Sequence, residues 1–290
     1  MERPVTEALG LMCVHAHPDD EAIATGGVLA SAADLGIRTA VVTCTGGELG
    51  EIVGPEMDPD EVRPRLGEVR LEELRTSLAA LGAGEPRMLG YRDSGMIGTD
   101  GNDDPRSFWR ADFDEAVGRL VAQIREFRPD VFVTYDAFGG YGHPDHIQAH
   151  RVSVVASEAA GMRALYPEAG DAWRVRKVYE ATIPRSAIVR FNGFLQSQGL
   201  PSPFGEAVDP AQIPMGVDDE QLDAVVDVRP WLDRKRAALE AHASQVAPDS
   251  FFLNFPAEFE DIAFGSEWFV RLRSDVAVPT REDDLLGGLL

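Results

Sequence analysis

Between residues 11 and 160, short apolar runs of strand length alternate with longer stretches whose apolar residues recur at helical spacing. This alternation constrains the fold more than any other feature, because successive β-α-β units pair as parallel strands with helices on the faces. Residues 11–15, 39–44 and 131–135 are strand-like runs, with a briefer one near Met88. Residues 21–35, 66–81, 112–127 and 144–160 read as helices. Gly36 and Gly82 stand just past two of them, where a left-handed residue ends a helix, and Pro144 opens another. The spacing predicts a Rossmann-like, mostly parallel α/β sheet with helices on both faces, forming a catalytic domain over residues 1–170. Past 170 the pattern loosens. Strands at 177–183 and 223–228, helices after Ser186 and over 231–242, and a Pro-rich loop or lid at 200–214 predict a smaller α+β domain. It spans 171–290 and is expected to close the substrate cleft.

In such sheets ligands bind beyond the carboxyl ends of the strands. Five of the six histidines fall at two such places, His15 and His17 after the first strand, and His143, His146 and His150 after the fourth. Each loop sets histidine among carboxylates around a proline, as His17-Pro18-Asp19-Asp20 and His143-Pro144-Asp145-His146. His17, Asp20 and His146 are the candidate ligands of one metal ion. Two imidazoles and one carboxylate leave a position open, the pattern of a catalytic zinc, at which water acidifies to a pKa of about 7. Fe²⁺ or another divalent ion also suits that donor set. His150, one helical turn past His146, is the rival ligand, and His15 belongs either behind the site or in the core.

Asp19, wedged between two ligands, is the expected general base. His143, oriented by Asp145, would stabilise an oxyanion or protonate a leaving amine; the alternative is that the two only cap a helix. Tyr141, between Gly140 and Gly142, would reach a reacting carbonyl, or is simply an exposed turn aromatic. His242, in an amphipathic stretch, reads as structural.

Composition narrows the partners. With 27 basic against 49 acidic residues the chain carries −22, which repels phosphate backbones. No apolar run approaches the ~20 residues of a membrane-spanning helix. The first ten residues lack the basic start and apolar stretch of a secretory signal. Cys13 and Cys44 cannot build a disulfide framework. The expectation is a cytoplasmic protein with a small-molecule substrate, without nucleic acid or membrane, and of undetermined oligomeric state.

Ala16-His17-Pro18-Asp19-Asp20-Glu21 and Gly142-His143-Pro144-Asp145-His146 resemble the PIG-L/LmbE-like family of zinc-dependent N-acetylglucosaminyl deacetylases, over roughly residues 10 to 165. Thr43-Cys44-Thr45-Gly46-Gly47-Glu48, Tyr91-Arg92-Asp93-Ser94-Gly95-Met96 and Gly139-Gly140-Tyr141-Gly142-His143 are similar to its mycothiol branch. That resemblance implies zinc on His17, Asp20 and His146, and Asp19 as base. It also implies His143 with Asp145 as acid or stabiliser, and Tyr141 as carbonyl polariser. Arg70, Asp93 and Glu51 enter through the resemblance alone, as contacts to sugar or inositol hydroxyls. The implied reaction is hydrolysis of the acetamide of N-acetyl-glucosaminyl-inositol. Gly46-Gly47-Glu48-Leu49-Gly50-Glu51 and Ala241-His242-Ala243-Ser244-Gln245 look at least as much like the sister mycothiol S-conjugate amidase. An N-acetylglucosamine deacetylase of antibiotic biosynthesis is a further alternative. A reading of another class is a metal- or sugar-binding module without catalysis, against which the complete set of ligands plus a base argues.

Overall fold

The structure is a computed structural model and describes residues 9–199, 202, 205, 207, 209–250, 253, 254 and 264–290. The strands are β1 (Gly10–His15), β2 (Arg38–Thr45), β3 (Arg87–Tyr91), β4 (Val131–Tyr135), β5 (Lys177–Thr182), β6 (Ala224–Asp227) and β7 (Ser266–Ser274). They form one sheet in the order β3-β2-β1-β4-β5-β7-β6. The first five run parallel to one another, and β7 runs antiparallel to both β5 and β6. The mostly parallel α/β expectation holds. Because β2 lies on one side of β1 and β4 on the other, the chain leaves β1 and β4 in opposite directions. A crevice opens at that switch point.

The main helices are α1 (Asp20–Ala24), α2 (Gly26–Asp34), α3 (Pro59–Val62), α4 (Leu66–Leu81), α5 (Phe113–Phe127), α6 (Gly139–Gly142), α7 (Pro144–Ala159), α8 (Arg185–Ser197) and α9 (Leu232–Ala241). β1 is buried along its whole length, so its alternate side chains enter two cores. Leu11 and Cys13 face the core shared with α2, α4 and α9, whereas Met12 and Val14 face the one shared with α5 and α7. Cys13 and Cys44 are free thiols buried in these layers.

Where one helix was expected over 21–35, the structure has two. Thr25 leaves the helical region at φ −141° and its hydroxyl meets His15 Nε2 at 2.9 Å. The Gly27 and Val28 N–H groups that open α2 donate to the buried carboxylate of Glu267, which also takes Lys235 Nζ. A Cβ on Gly27 would lie 2.3 Å from Val228, so only glycine lets α2 approach so closely.

The sheet carries no break at residue 170. β5 pairs with β4 over five residues, and β7 and β6 extend the same sheet. One core contains Val131 and Leu78 together with Val226, Leu239 and Phe269. The span expected as a small C-terminal α+β domain thus continues the one sheet with β5, β7 and β6 and adds α8 and α9. β7 itself escaped the sequence reading. Of the 200–214 stretch, residues 200, 201, 203, 204, 206 and 208 lie outside the described residues. Among the described residues no helix is long and apolar enough to cross a membrane.

Candidate active site

β1 ends at His15, and the next residues turn sharply into α1, bringing His17, Asp19 and Asp20 to the rim of the sheet. β4 ends at Tyr135, and the glycine-rich loop and α7 that follow bring Tyr141, His143 and His146 over the same crevice. Tyr135 joins the two sides: its hydroxyl accepts from Ala16 N and donates to Asp20 Oδ2, both at 2.8 Å. Gly139 lies at φ 66°, and a Cβ there would sit 2.6 Å from His146 Cβ. The loop therefore packs directly against a candidate ligand.

The three predicted ligands converge. His17 Nδ1 lies 3.3 Å from His146 Nε2 and 3.6 Å from Asp20 Oδ2, and His146 Nε2 lies 3.5 Å from that oxygen. A tetrahedral ion about 2.1 Å from each ligand would hold its ligand atoms roughly 3.4 Å apart. The triangle has that size. Its two imidazole nitrogens face each other, close enough to share a proton or to bind one cation between them. Asp20 Oδ2 is fixed by the His17 N–H at 2.9 Å in addition to Tyr135. The opposite nitrogen of His17, Nε2, meets Asp145 Oδ2 at 3.2 Å. A carboxylate behind a ligating imidazole holds its proton on the far side and leaves the near lone pair for the metal.

That contact changes the role expected of Asp145. Its carboxylate takes the Ser94 N–H at 2.9 Å and the Ser94 hydroxyl, and it backs His17, not His143. Asp145 reaches His143 only through its own N–H, which donates to His143 Nδ1 at 3.1 Å. His143 is therefore the N-cap of α7, and its neutral form carries the proton on Nε2. Burial, with His17 and His146 nearby, lowers its imidazole to about 4. Nitrogens of His17, His143 and His146 also approach within 4.8 Å, as do donor atoms of His17, Asp93, His143 and Asp145. The tighter triangle with Asp20, whose three separations are all 3.3–3.6 Å, is the set that matches one ion.

Asp19 adopts φ 117° and ψ −29°. Arg70 Nη2 holds Asp19 Oδ2 at 3.0 Å and Pro18 O at 2.5 Å, while its Nη1 holds Gly47 O at 2.8 Å. Burial raises the Asp19 carboxyl to about 6, with Arg70 restraining the rise and Asp20 adding to it. Burial alone would also raise Asp20, but His146, His17 and His15 hold it well below the usual carboxylate range. His146 is lowered to about 4, chiefly by burial and then, against the pull of Asp20, by His17.

A cleft of about 610 Å³ opens above these groups, lined by His17, Asp19, Asp20, Arg70, Tyr141 and His143 among others. Asp93 and Glu51 line it as well. Asp93 is tied by the Leu49 and Gly95 N–H groups, so it presents a fixed carboxylate. Tyr141 is 46% exposed, with its ring centroid 4.9 Å from that of His146. Asp145 is fully buried behind the cleft. His150 turns away: its Nδ1 bonds Tyr135 O at 2.9 Å and faces Glu180. His15 is committed to Thr25.

Four groups escaped the sequence reading as site residues. Tyr135 braces Asp20, Ser94 braces Asp145, Gln245 forms part of the cleft wall, and Glu21 accepts the Asp19 N–H at 3.0 Å. Glu21 lay inside the first signature and Gln245 in the Ala241–Gln245 stretch, so both were visible as sequence but not as neighbours.

Comparison with known proteins bears on the fold and on the family. A solved N,N'-diacetylchitobiose deacetylase from Pyrococcus horikoshii superposes with TM-score 0.62 at 18% identity, covering 93% of this chain and 85% of its own. The 4-carboxy-2-hydroxymuconate hydratase GalB from Pseudomonas putida superposes with TM-score 0.59 at 19% identity, covering 93% and 99%. At such identities the likeness establishes the fold alone. Two relatives named 1D-myo-inositol 2-acetamido-2-deoxy-alpha-D-glucopyranoside deacetylase are each 44% identical. The one from Geodermatophilus obscurus covers 98% of this chain and 99% of its own, and the one from Acidothermus cellulolyticus 96% and 94%. The family model described as PIG-L, GlcNAc-PI de-N-acetylase, matches residues 12–157, the segment that carries both histidine loops, and the chain belongs to that family.

Proposed function

We propose that this chain hydrolyses the acetamide of an N-acetyl-glucosaminyl-inositol, releasing acetate and the free amine. The observation that carries the reading is the triangle of His17 Nδ1, Asp20 Oδ2 and His146 Nε2, sized for one divalent ion. Zinc is the ion we assign, with Fe²⁺ as the other candidate. Such an ion supplies Lewis acidity to the acyl oxygen and lowers the pKa of water at the site.

The protein's own groups do the rest. Asp19, on the same cleft and raised to about 6, accepts the proton of the attacking water. His143 offers Nε2–H toward the cleft as a neutral donor for the oxygen that gains charge as the carbonyl carbon becomes tetrahedral. The Tyr141 hydroxyl, raised above the usual phenol range by desolvation in the cleft and by the charges of Asp20 and Asp19, donates to the same oxygen. When the C–N bond breaks, the proton held by Asp19 passes to the departing nitrogen. Arg70, Asp93 and Glu51 border the sugar or inositol, and Gln245 adds to the cleft wall from the C-terminal part of the chain.

Charge separates this substrate from a lipid-linked one. Among the described residues the cleft presents Asp19, Asp20, Glu51, Asp93 and Asp100 against one cationic side chain, Arg70, whose two terminal nitrogens bond Pro18, Asp19 and Gly47. A neutral inositol suits it and a phosphodiester does not. Exposed Leu49 and Met96 on the same wall favour a second activity on amides with an apolar far end, such as mycothiol S-conjugates. Two buried, unpaired cysteines fit a reducing cytoplasm.

The test is amine release from N-acetylglucosaminyl-inositol, its phosphatidyl form and a mycothiol conjugate. Metal-stripped protein and protein reloaded with zinc or iron are compared. Highest kcat/KM on the neutral inositol, lost on stripping and regained on reloading, is expected. Turnover that survives complete metal removal, or no amine from any acetamidosugar, would sink the reading.

A further inference from the structure

Three described residues other than glycine have positive φ: Asp19, Arg128 and Tyr166. Arg128 at 59°, 62° and Tyr166 at 48°, 55° occupy the ordinary left-handed well. Asp19 at 117°, −29° lies outside it. A residue with a Cβ stays in such a conformation only where its surroundings over-determine it. Arg70 grips one side of the turn. The other side is held by Glu21, whose Oε2 accepts the Asp19 N–H at 3.0 Å.

Glu21 is fully buried, and its second oxygen is fixed by two donors from far along the chain, the Ser77 hydroxyl and His242 Nε2, the latter at 2.7 Å. His242 is itself fully buried at the C-terminal end of α9. Its segment is bolted in place. Ser244 N and Oγ donate to both oxygens of Glu73 at 2.7 Å, and Gln245 Nε2 donates to Glu51 O at 2.9 Å.

We propose that His242, acting through Glu21, is a positioning residue that keeps Asp19 turned into the cleft. The inference rests on Asp19 being the proton acceptor of the proposed reaction. Without His242, Oε1 of Glu21 loses a donor and the carboxylate reorients. The Asp19 N–H then loses its acceptor, and the turn relaxes toward negative φ, carrying the base away from the substrate. Misplacement by about 1 Å is enough to slow a reaction by up to about 10²-fold.

The test compares His242→Ala, His242→Gln, Asp19→Ala and the double variant Asp19→Ala/His242→Ala in zinc-loaded protein. It also takes the crystal structure of metal-free His242→Ala. The expected result is a kcat lowered tenfold or more in His242→Ala, with KM and bound zinc unchanged. His242→Gln, whose amide can still donate to Glu21, recovers most of it. The double variant is no slower than Asp19→Ala, because the effect runs through Asp19, and φ at Asp19 leaves the positive range in the crystal. Undiminished kcat in His242→Ala, a double variant tenfold below Asp19→Ala, or an unmoved Asp19 overturns the proposal. Should His242→Ala fail to fold, Ser77→Ala takes its place: a lower kcat that vanishes on the Asp19→Ala background supports the relay, and an unchanged kcat overturns it. Full turnover in Asp19→Ala would instead remove the base itself. An impaired Asp19→Ala beside an intact His242→Ala removes only the positioning.

Discussion

Substituting Asp19 by glycine and by alanine separates the strain of its backbone from the chemistry of its carboxylate. Both changes delete the pair with Arg70 and the carboxyl buried beside Asp20, so those effects cancel in the comparison. What remains is the φ of 117°, which glycine adopts freely and alanine does not. Holding a Cβ there costs roughly 1–3 kcal/mol, and glycine gives back about 0.4–1 kcal/mol through its freer unfolded chain. The glycine variant should therefore be the more stable of the two by about 1 kcal/mol, or about 2 °C in Tm for a chain of this size. Urea unfolding of metal-free protein is the assay, since bound metal would add its own stabilisation. Arg128, which sits in the ordinary left-handed well, is the control; its Gly-against-Ala gap should be smaller. An alanine variant as stable as the glycine one would show that the turn stores no strain. The account of Asp19 as a residue held against its own preference would then fall.

Asp145→Asn should weaken zinc binding about 10–100-fold, measured by chelator competition. The amide oxygen can still meet Ser94 N and His17 Nε2, but the negative charge that strengthens His17 as a ligand is gone; wild-type affinity would return Asp145 to a capping role. Gly139→Ala should also loosen the metal, because its Cβ would drive into His146. Equal zinc retention in dialysis would contradict the close packing of that loop. Glu180 is raised from 4.5 to about 7 by burial and by Asp136. Its folded pKa exceeds the unfolded one, so its contribution is full below pH 4.5 and is lost as pH rises through 7. Relative to Glu180→Gln, wild type should lose stability in urea between pH 5 and pH 8; a constant difference would refute the shift.

The two histidine loops were legible as one site because few residue types bind a divalent ion, and because the ends of β1 and β4 are where a doubly wound sheet gathers them. The choice between His146 and His150 was not. One helical turn apart, both lie on the same face of α7, and only the depth of the crevice decides. His146 meets Asp20, whereas His150 lies under Tyr135 O. The α1–α2 break hid for a related reason. Thr25-Gly26-Gly27 preserves the apolar spacing on either side, and the cause of the break, Glu267 capping α2, lies 240 residues away in sequence. β7 hid because Arg271 and Arg273 interrupt its apolar alternation. Both are half-buried through Glu282 and Glu158, partners invisible until the strand is placed.

The same distinction explains Asp145. Two residues apart at the start of a helix, His143 and Asp145 are neighbours in the chain, but their side chains leave α7 in different directions. What adjacency leaves available to His143 is the backbone N–H of Asp145, and a backbone donor on Nδ1 favours a neutral imidazole, not a charged one. The Asp145 carboxylate meanwhile finds His17, 128 residues earlier. Glu21 and His242 repeat the pattern across 221 residues. Groups that perform chemistry are restricted by what their atoms can do, and that restriction is written in residue type. Groups that hold them need only a donor or an acceptor in the right place, which many residue types supply. The holders of Asp19 and His17 therefore emerge only once β1, α4, α7 and α9 are brought together.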